Sequence, residues 1–163
     1  MLVRLSPADE SKCKQASHLR FQMARSGKLT NQNVCQRPDL DLIGIRGECA
    51  VNKLLDLDWS AYNLGYDDGV DMWSGDVSID VKTGFKNAKI LIFKNIEKFR
   101  ADISVFCRQA NEGIEIIGWC GREEFKKKAK VFDLGHGDTF GVEGKDLNRI
   151  ECLWKILKQR QMR

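Results

Sequence analysis

The sequence predicts an α+β protein in which helices flank a mixed, mostly antiparallel central sheet. Both ends of the chain have apolar residues at helical spacing, whereas the middle alternates with a period of two. The length of 163 residues, with 42% hydrophobic and 31% charged residues, suits one globular domain. There is no apolar run long enough for a membrane helix or a signal peptide, so we expect a soluble, cytoplasmic protein.

Two helices are predicted before the sheet. Ser6 is a good N-cap for the first, and Gly27 marks its end. The polar segment 28–37 follows without a clear period and is predicted to be a loop. The second helix is expected to run from Leu42 to Leu55, with Glu48 in its interior.

The rest of the chain predicts five strands and two more helices, with a short helix near residues 96–100. We expect one domain, with an N-terminal helical extension over 1–40, a core over 42–125 and a C-terminal helical region over 126–163. The strands are expected at Val70–Trp73, Val77–Lys82, Ile90–Phe93, Ile103–Cys107 and Ile114–Trp119, and the last helices at Glu123–Lys130 and Leu147–Gln159.

The charge distribution separates an acidic middle from two basic ends. The net charge is +4 over residues 1–40, −7 over 41–81 and +7 over 82–163. This pattern is typical of a cation-binding centre inside a surface that attracts polyanions such as nucleic acid. Ordinary solvated charge is the alternative.

The predicted hairpin between the first two strands brings two carboxylates together. A two-residue turn at 75–76 would place Asp71 directly opposite Asp80. Facing like charges destabilise a strand pair by about 0.2–1 kcal/mol unless a cation compensates. That cation is Lys82 or a metal ion, since hard oxygen ligands at this spacing suit Mg²⁺ or Mn²⁺. Alternatively, both carboxylates lie on a solvated face and Lys82 only pairs with Asp80.

These residues resemble the core motif of the PD-(D/E)xK nuclease superfamily, in which a helix acid precedes a hairpin with an Asp and then (D/E)-x-K. Glu48 matches the helix acid, Asp71 the first motif, and the segment 80–82, Asp-Val-Lys, the second. Val70 stands where the signature has proline. The resemblance is strong over residues 44–84, and the strands and helix that follow, through about Phe125, agree with it as architecture. It implies a restriction-endonuclease-like core, an α/β/α sandwich. In size and layout, the chain is similar to small phage-encoded and Holliday-junction-resolving members.

The resemblance implies a metal-dependent DNA endonuclease that hydrolyses phosphodiester bonds in double-stranded or branched DNA. Asp71 and Asp80 would hold one or two Mg²⁺ ions, for which Mn²⁺ substitutes. Glu48 would be a further direct or water-mediated ligand, and the Val81 carbonyl an additional one. Lys82 would position the attacking water, whose pKa the metal lowers.

Four basic residues near the motif are predicted to bind the DNA backbone, which gives salt-sensitive affinity without sequence specificity. Trp73 either stacks on a splayed base or packs under the first helix. Two other classes stay open: a nucleic-acid-binding module with the same fold that does not cut, and an unrelated α+β protein with a structural salt-bridge network. Paired cuts on two strands would favour a homodimer. The predicted DNA-binding residues are Arg46, Lys86, Lys89 and Lys94.

Overall fold

The fold, in a computed structural model that describes residues 1–25, 38–57, 69–135 and 137–161, combines helices with two sheets. The predicted helix end at Gly27 and the predicted loop over 28–37 lie outside these residues. Within the described ranges no helix is long and apolar enough to cross a membrane. The helices are α1 (Pro7–Arg25), α2 (Pro38–Leu55), α3 (Arg122–Lys128) and α4 (Ile150–Gln161), with 3₁₀ turns at Ile96–Lys98 and Gly144–Asp146. The strands are β1 (Leu2–Val3), β2 (Met72–Ser74), β3 (Val77–Gly84), β4 (Ile90–Phe93), β5 (Ile103–Ala110), β6 (Gly113–Gly121), β7 (Lys130–Asp133) and β8 (Asp138–Glu143).

The central sheet has five strands in the order β1-β6-β5-β3-β2. The pair β3–β5 is parallel and the other pairs are antiparallel, so the predicted mixed, mostly antiparallel sheet is confirmed. Because β3 is an interior strand with a layer packed on each face of the sheet, its first five residues are all buried.

Helices cover one face of the central sheet and a second sheet covers the other. Apolar residues of α2 and α4 form one core with the inward residues of β3, β5 and β6. On the opposite face, β4 and β8 form a second core with Phe106 of β5 and Phe125 of α3. The second sheet has the order β4-β8-β7. The layer opposite the helices is therefore largely a sheet, which differs from the expected α/β/α sandwich.

The strands β7 and β8 correct the prediction that the chain after residue 125 is helical. Three of the four residues of β7 are exposed, so this edge strand lacks the apolar alternation that would reveal it in the sequence. The predicted start of the last helix at Leu147 is also three residues early, because α4 begins at Ile150.

Ser6 caps the N-terminus of the first helix, as predicted, and it forms a capping box with Asp9. The Ser6 amide donates to Asp9 Oδ2 at 2.8 Å, and the Asp9 amide donates to Ser6 Oγ at 3.1 Å. The face that α1 packs on α2 includes Cys13 and Ala16, whereas Leu19, which has helical spacing with Ala16, is 43% exposed.

The second helix begins at Pro38, four residues before its predicted start, since proline suits the first turn and Asp39 follows it there. It lies very close to β3. A Cβ atom on Gly47 would be only 1.8 Å from Thr83 Oγ1, so this approach requires glycine. The contact places Glu48, the next residue of α2, near the second half of β3.

Candidate active site

The hairpin β2–β3 has the predicted register over most of its length. Met72 pairs with Ile79, and the turn at 75–76 joins the strands as expected. The ladder ends at Met72, however, and the Asp71 amide donates to the Ile79 carbonyl at 2.9 Å. Asp71 and Met72 thus both face Ile79, as at a β-bulge, so the prediction that Asp71 lies directly opposite Asp80 is wrong.

The Asp71 carboxylate instead holds the backbone between the two motif residues of β3. Its Oδ2 accepts a hydrogen bond from the Val81 amide at 2.6 Å. Beyond the end of β2 this amide has no strand partner on that side, and an unpaired backbone donor is costly when it is shielded from water. Asp71 therefore supplies the hydrogen-bond acceptor for the amide of Val81, which lies between Asp80 and Lys82 on β3.

Asp80 is one of the most deeply buried polar residues of the described chain, at 2% exposure. Its Oδ1 accepts from the Lys82 ammonium, and its Oδ2 accepts from the Ser104 hydroxyl at 2.8 Å. The parallel register of β3 and β5 pairs Asp80 with Ser104. A buried carboxylate is stable only when it is paired and hydrogen-bonded, and these two donors meet that requirement. The sequence analysis missed Ser104, a polar residue inside an apolar strand.

Lys82 lies between a carboxylate and an aromatic ring. Its Nζ is 5.3 Å from the centroid of Phe93, within the range of a cation–π interaction. The Phe93 ring stacks on Phe99 at 4.6 Å between centroids, which fixes its position. The Lys82 side chain is nevertheless 41% exposed. The ammonium is thus held in place and remains accessible from solvent.

Glu48 is also buried, at 4% exposure, but its partner comes from α1. Arg20 donates to both carboxylate oxygens, with NH1–Oε1 at 3.3 Å and NH2–Oε2 at 3.1 Å. Arg20 also faces Asp41: burial raises the pKa of that carboxyl, and the arginine charge partly offsets the rise. The sequence analysis missed this role of Arg20.

The predicted DNA-binding residues occupy two places. Arg46 and Lys86 lie near the β5–β6 turn, where Lys86 Nζ donates to Asn111 Oδ1 at 2.7 Å. Arg46 and Asn111 line one small cavity of about 170 Å³ there, and Arg46 donates to Glu10 at 2.9 and 2.6 Å. Lys89 and Lys94 are exposed and flank β4 at its two ends. The four residues therefore do not form one continuous patch.

Trp73 is the most exposed large apolar side chain among the described residues, at 60%. It lies on β2, an edge strand of the central sheet, so the alternative that it packs under the first helix is wrong. Its indole is free to contact a partner, two residues from Asp71.

Metal binding at the motif can be judged from the chemistry of the oxygen donors. The described residues contain no group of three or more His, Cys, Asp or Glu side chains placed to hold a metal ion. Asp71, Asp80 and the Val81 carbonyl are nevertheless hard oxygen donors, and Mg²⁺ is commonly bound by one or two carboxylates, with water and substrate phosphate completing its shell. The donor set therefore fits Mg²⁺ held by two carboxylates.

Comparison with family models, with curated proteins and with solved structures finds no match to this chain. The likeness to PD-(D/E)xK nucleases therefore depends on the motif residues themselves. Their chemistry and their positions on the hairpin are what a functional proposal has to explain.

Proposed function

We propose that this protein is a metal-dependent deoxyribonuclease with a restriction-endonuclease-like core. Its substrate would be double-stranded or branched DNA, and its reaction the hydrolysis of phosphodiester bonds. The observation that supports this most is the arrangement on β3. The buried Asp80 and the partly exposed Lys82 flank Val81, and Asp71, the residue before β2, accepts a hydrogen bond from the Val81 amide.

In this proposal Asp71, Asp80 and the Val81 carbonyl hold Mg²⁺ or Mn²⁺, and water and substrate phosphate complete its shell. Glu48 stays bound to Arg20, since the described residues do not group it with the two aspartates as a third ligand. The bound metal supplies a water of lowered pKa and neutralises negative charge on the phosphate. Ser104 keeps the Asp80 carboxylate in one orientation, because its hydroxyl donates to Oδ2. Such a fixed orientation avoids the reorganisation that would otherwise add to the barrier.

Lys82 would position the attacking water and stabilise charge on the phosphate. A neighbouring carboxylate favours the charged ammonium, so proton removal by this lysine is disfavoured while hydrogen-bond donation is not. The Asp80 carboxylate and the Phe93 ring restrain the ammonium, and its exposed part faces solvent. The residue therefore acts as a donor of fixed position.

DNA would be held mainly through its phosphates, by Arg46, Lys86, Lys89 and Lys94. Such contacts give affinity that falls with salt and little sequence preference. The cutting of two strands would favour a homodimer whose two-fold axis matches the substrate.

One observation favours a second candidate, a nucleic-acid-binding module that does not cut. Both buried acids already have a cation from the chain itself, Lys82 for Asp80 and Arg20 for Glu48. The fold therefore compensates these two negative charges without a metal ion. A module that binds nucleic acid without cutting it would need this compensation. The exposed Trp73 would serve either function.

The experiment that tests the proposal is cleavage of supercoiled plasmid, linear duplex, single strand and four-way junction with Mg²⁺, Mn²⁺ or EDTA. Asp80→Asn is run in parallel, with Asp76→Asn as the matched control that removes an exposed charge from the same hairpin. Metal-dependent cutting that Asp80→Asn loses and Asp76→Asn keeps supports the nuclease. Salt-sensitive binding without cutting by any of the proteins supports the binding module instead.

A further inference from the structure

Trp73 lies on the same face of the central sheet as the proposed catalytic residues. It pairs with Ser78 across the β2–β3 ladder, and directly paired residues of antiparallel strands point to the same face. Strand alternation places Asp80 and Lys82 on that face as well. Asp80 is the diagonal neighbour of Trp73, and such neighbours are about 7–8 Å apart. The exposed indole therefore borders the motif.

Packing does not account for the position of this indole. Its two neighbours in β2, Met72 and Ser74, are buried and anchor the strand, whereas Trp73 itself points into solvent. It is not part of the apolar cores that the described residues form. An exposed aromatic ring beside charged groups is typical of a surface on which a nucleic-acid base stacks, since every base has a flat π-face.

An arginine gives positive charge to the chain segment that leads to Asp71. Arg100 is exposed, and its side chain runs along Gly69. Its Cβ and Cδ are 3.8 and 4.0 Å from the position that a Cβ atom on Gly69 would take. Guanidinium groups bind phosphate through pairs of N–H donors. A cation suited to a phosphate therefore lies beside the segment that carries the first acid of the motif.

A row of contacts across the sheet connects this arginine with the indole. Arg122, the first residue of α3, donates to the Arg100 carbonyl at 2.8 Å and lies 3.8 Å from Asp102. Asp102 accepts hydrogen bonds from the amide and the hydroxyl of Ser78 at 2.9 and 2.7 Å. Ser78 is the strand partner of Trp73. A stacking ring with positive charge nearby is the combination that proteins use to bind single-stranded nucleic acid.

We propose that Trp73 and Arg100 form a subsite for an unpaired nucleotide of the DNA substrate, beside the bond that is cut. The base stacks on the indole, and a neighbouring phosphate binds the guanidinium. A base inside a duplex is covered by its neighbours in the stack, so only an unpaired or extruded nucleotide can bind in this way. The inference rests on the proposed function, and it narrows the substrate to branched DNA that carries unpaired bases.

The test is binding of the full chain to labelled DNA in EDTA, where metal-dependent cutting does not occur. The probes are a forked duplex with two unpaired arms and a blunt duplex of the same length. We expect Trp73→Ala to bind the forked DNA about 5- to 100-fold more weakly than the wild type, and the blunt duplex within about twofold. Trp73→Phe keeps an aromatic ring and should retain most of the affinity. Trp154→Ala, which removes an exposed indole from α4, is the matched control and should bind both probes like the wild type.

A second measurement reports the contact with the base itself. A fluorescent aminopurine at the first unpaired position of the fork loses emission when it stacks on an aromatic ring. The wild type and Trp73→Phe should quench it, and Trp73→Ala should not. Arg100→Gln should weaken binding to the forked DNA and lower its salt dependence by about one phosphate contact.

Several results would overturn the inference. They are failure of the wild type to bind forked DNA, equal binding of it by Trp73→Ala, an equal loss on both probes, and quenching that persists without the ring. A change in the oligomeric state of Trp73→Ala, measured by light scattering, would assign the indole to an interface between copies instead. Circular dichroism checks that each variant is folded.

These measurements need no cleavage, so the subsite and the nuclease can fail separately. A protein that cuts DNA but shows no stacking at Trp73 overturns the subsite alone. A protein that stacks an unpaired base and never cuts overturns the nuclease, and the subsite then belongs to the binding module.

Discussion

Among the residues that the structure describes, two buried acids have a basic partner, and the two pairs are built differently. Asp80 and Lys82 are two residues apart on one strand, whereas Glu48 and Arg20 are 28 residues apart on two helices. The Lys82 side chain is 41% exposed and the Arg20 side chain only 19%. An accessible cation can bind a substrate, while an enclosed one holds elements together. The comparison therefore assigns chemistry to β3 and helix docking to Arg20.

The largest expected effect is on cleavage, from Asp80→Asn. The amide keeps the size of the side chain and an acceptor for Ser104, but it removes the charge that a metal requires. We expect metal-dependent cleavage to fall by about a hundredfold or more, while folding and much of the DNA binding persist. Plasmid nicking and gel-shift assays on the same preparations measure the two properties. Lys82→Ala should also abolish cleavage. Near-wild-type cutting by either variant would contradict the proposed mechanism.

The second prediction separates the two pairs by stability. Arg20→Met leaves Glu48 buried without its forked partner, and we expect a loss of about 3 kcal/mol in the free energy of unfolding. Lys82→Met also leaves a buried carboxylate without its cation, but water can take the place of the partly exposed ammonium and Ser104 still donates to Asp80, so we expect a smaller loss of about 1–2 kcal/mol. Urea denaturation of both variants measures the difference.

A matched control for Arg20→Met is the double variant with Glu48→Gln, which removes the buried charge as well. It should recover part of the lost stability, since the penalty arises from an unpaired carboxylate. Equal losses for Arg20→Met and Lys82→Met would contradict the distinction between an enclosed pair and an open one.

The third prediction concerns the contact that brings α2 to the motif strand. Gly47→Ala would place a Cβ 1.8 Å from Thr83 Oγ1, and we expect it to cost about 1–3 kcal/mol. Gly44→Ala, in the same helix, has no atom within 4 Å of the new Cβ and should instead stabilise by about 0.5–1 kcal/mol. Thermal unfolding of the two variants checks the sign.

Thr83→Ala supplies the second control for this contact. Its Oγ1 is buried without a hydrogen-bond partner among the described residues, so its removal should cost little. Combined with Gly47→Ala, it should restore part of the stability. A Gly47→Ala protein as stable as the Gly44→Ala protein would contradict the close approach of Gly47 to Thr83.

The difference between the two pairs also explains what could be predicted from the sequence. Strand alternation places Asp80 and Lys82 on one face, and the turn at 75–76 fixes the hairpin register, so both were predicted and the register was confirmed as far as Met72. Both features are local. The bulge at Asp71 was not predicted, because a single hydrogen bond to Ile79 decides it.

Contacts between distant segments were beyond the reach of the sequence. Arg20 reaches Glu48 only because α1 packs on α2 at one particular rotation, and helical periodicity alone does not fix that rotation. Ser104 meets Asp80 through a parallel strand pair, which no short turn specifies. Phe93 meets Lys82 because of the second sheet, whose strands β7 and β8 have no clear alternation. Most strands of the central sheet and most helices were predicted. The second sheet and the way the helices pack were not.

The smallest expected effect comes from a third ion pair, which joins α1 and α2 nearer to solvent. Lys53 Nζ donates to Asp9 Oδ2 at 2.7 Å, and this hydrogen bond is the main cause that lowers the pKa of Asp9 to about 2. The pKa in an unfolded chain is about 3.9, so the pair stabilises the folded state above that pH and its contribution is lost as the pH falls towards 2. Asp9→Asn should cost about 1 kcal/mol near pH 7, because both side chains are partly exposed. The difference from the wild type should stay constant down to about pH 5 and shrink to a small remainder near pH 2 in urea titrations. A difference that did not change with pH would mean that Asp9 acts only as a cap of α1, through Ser6, and not through its charge.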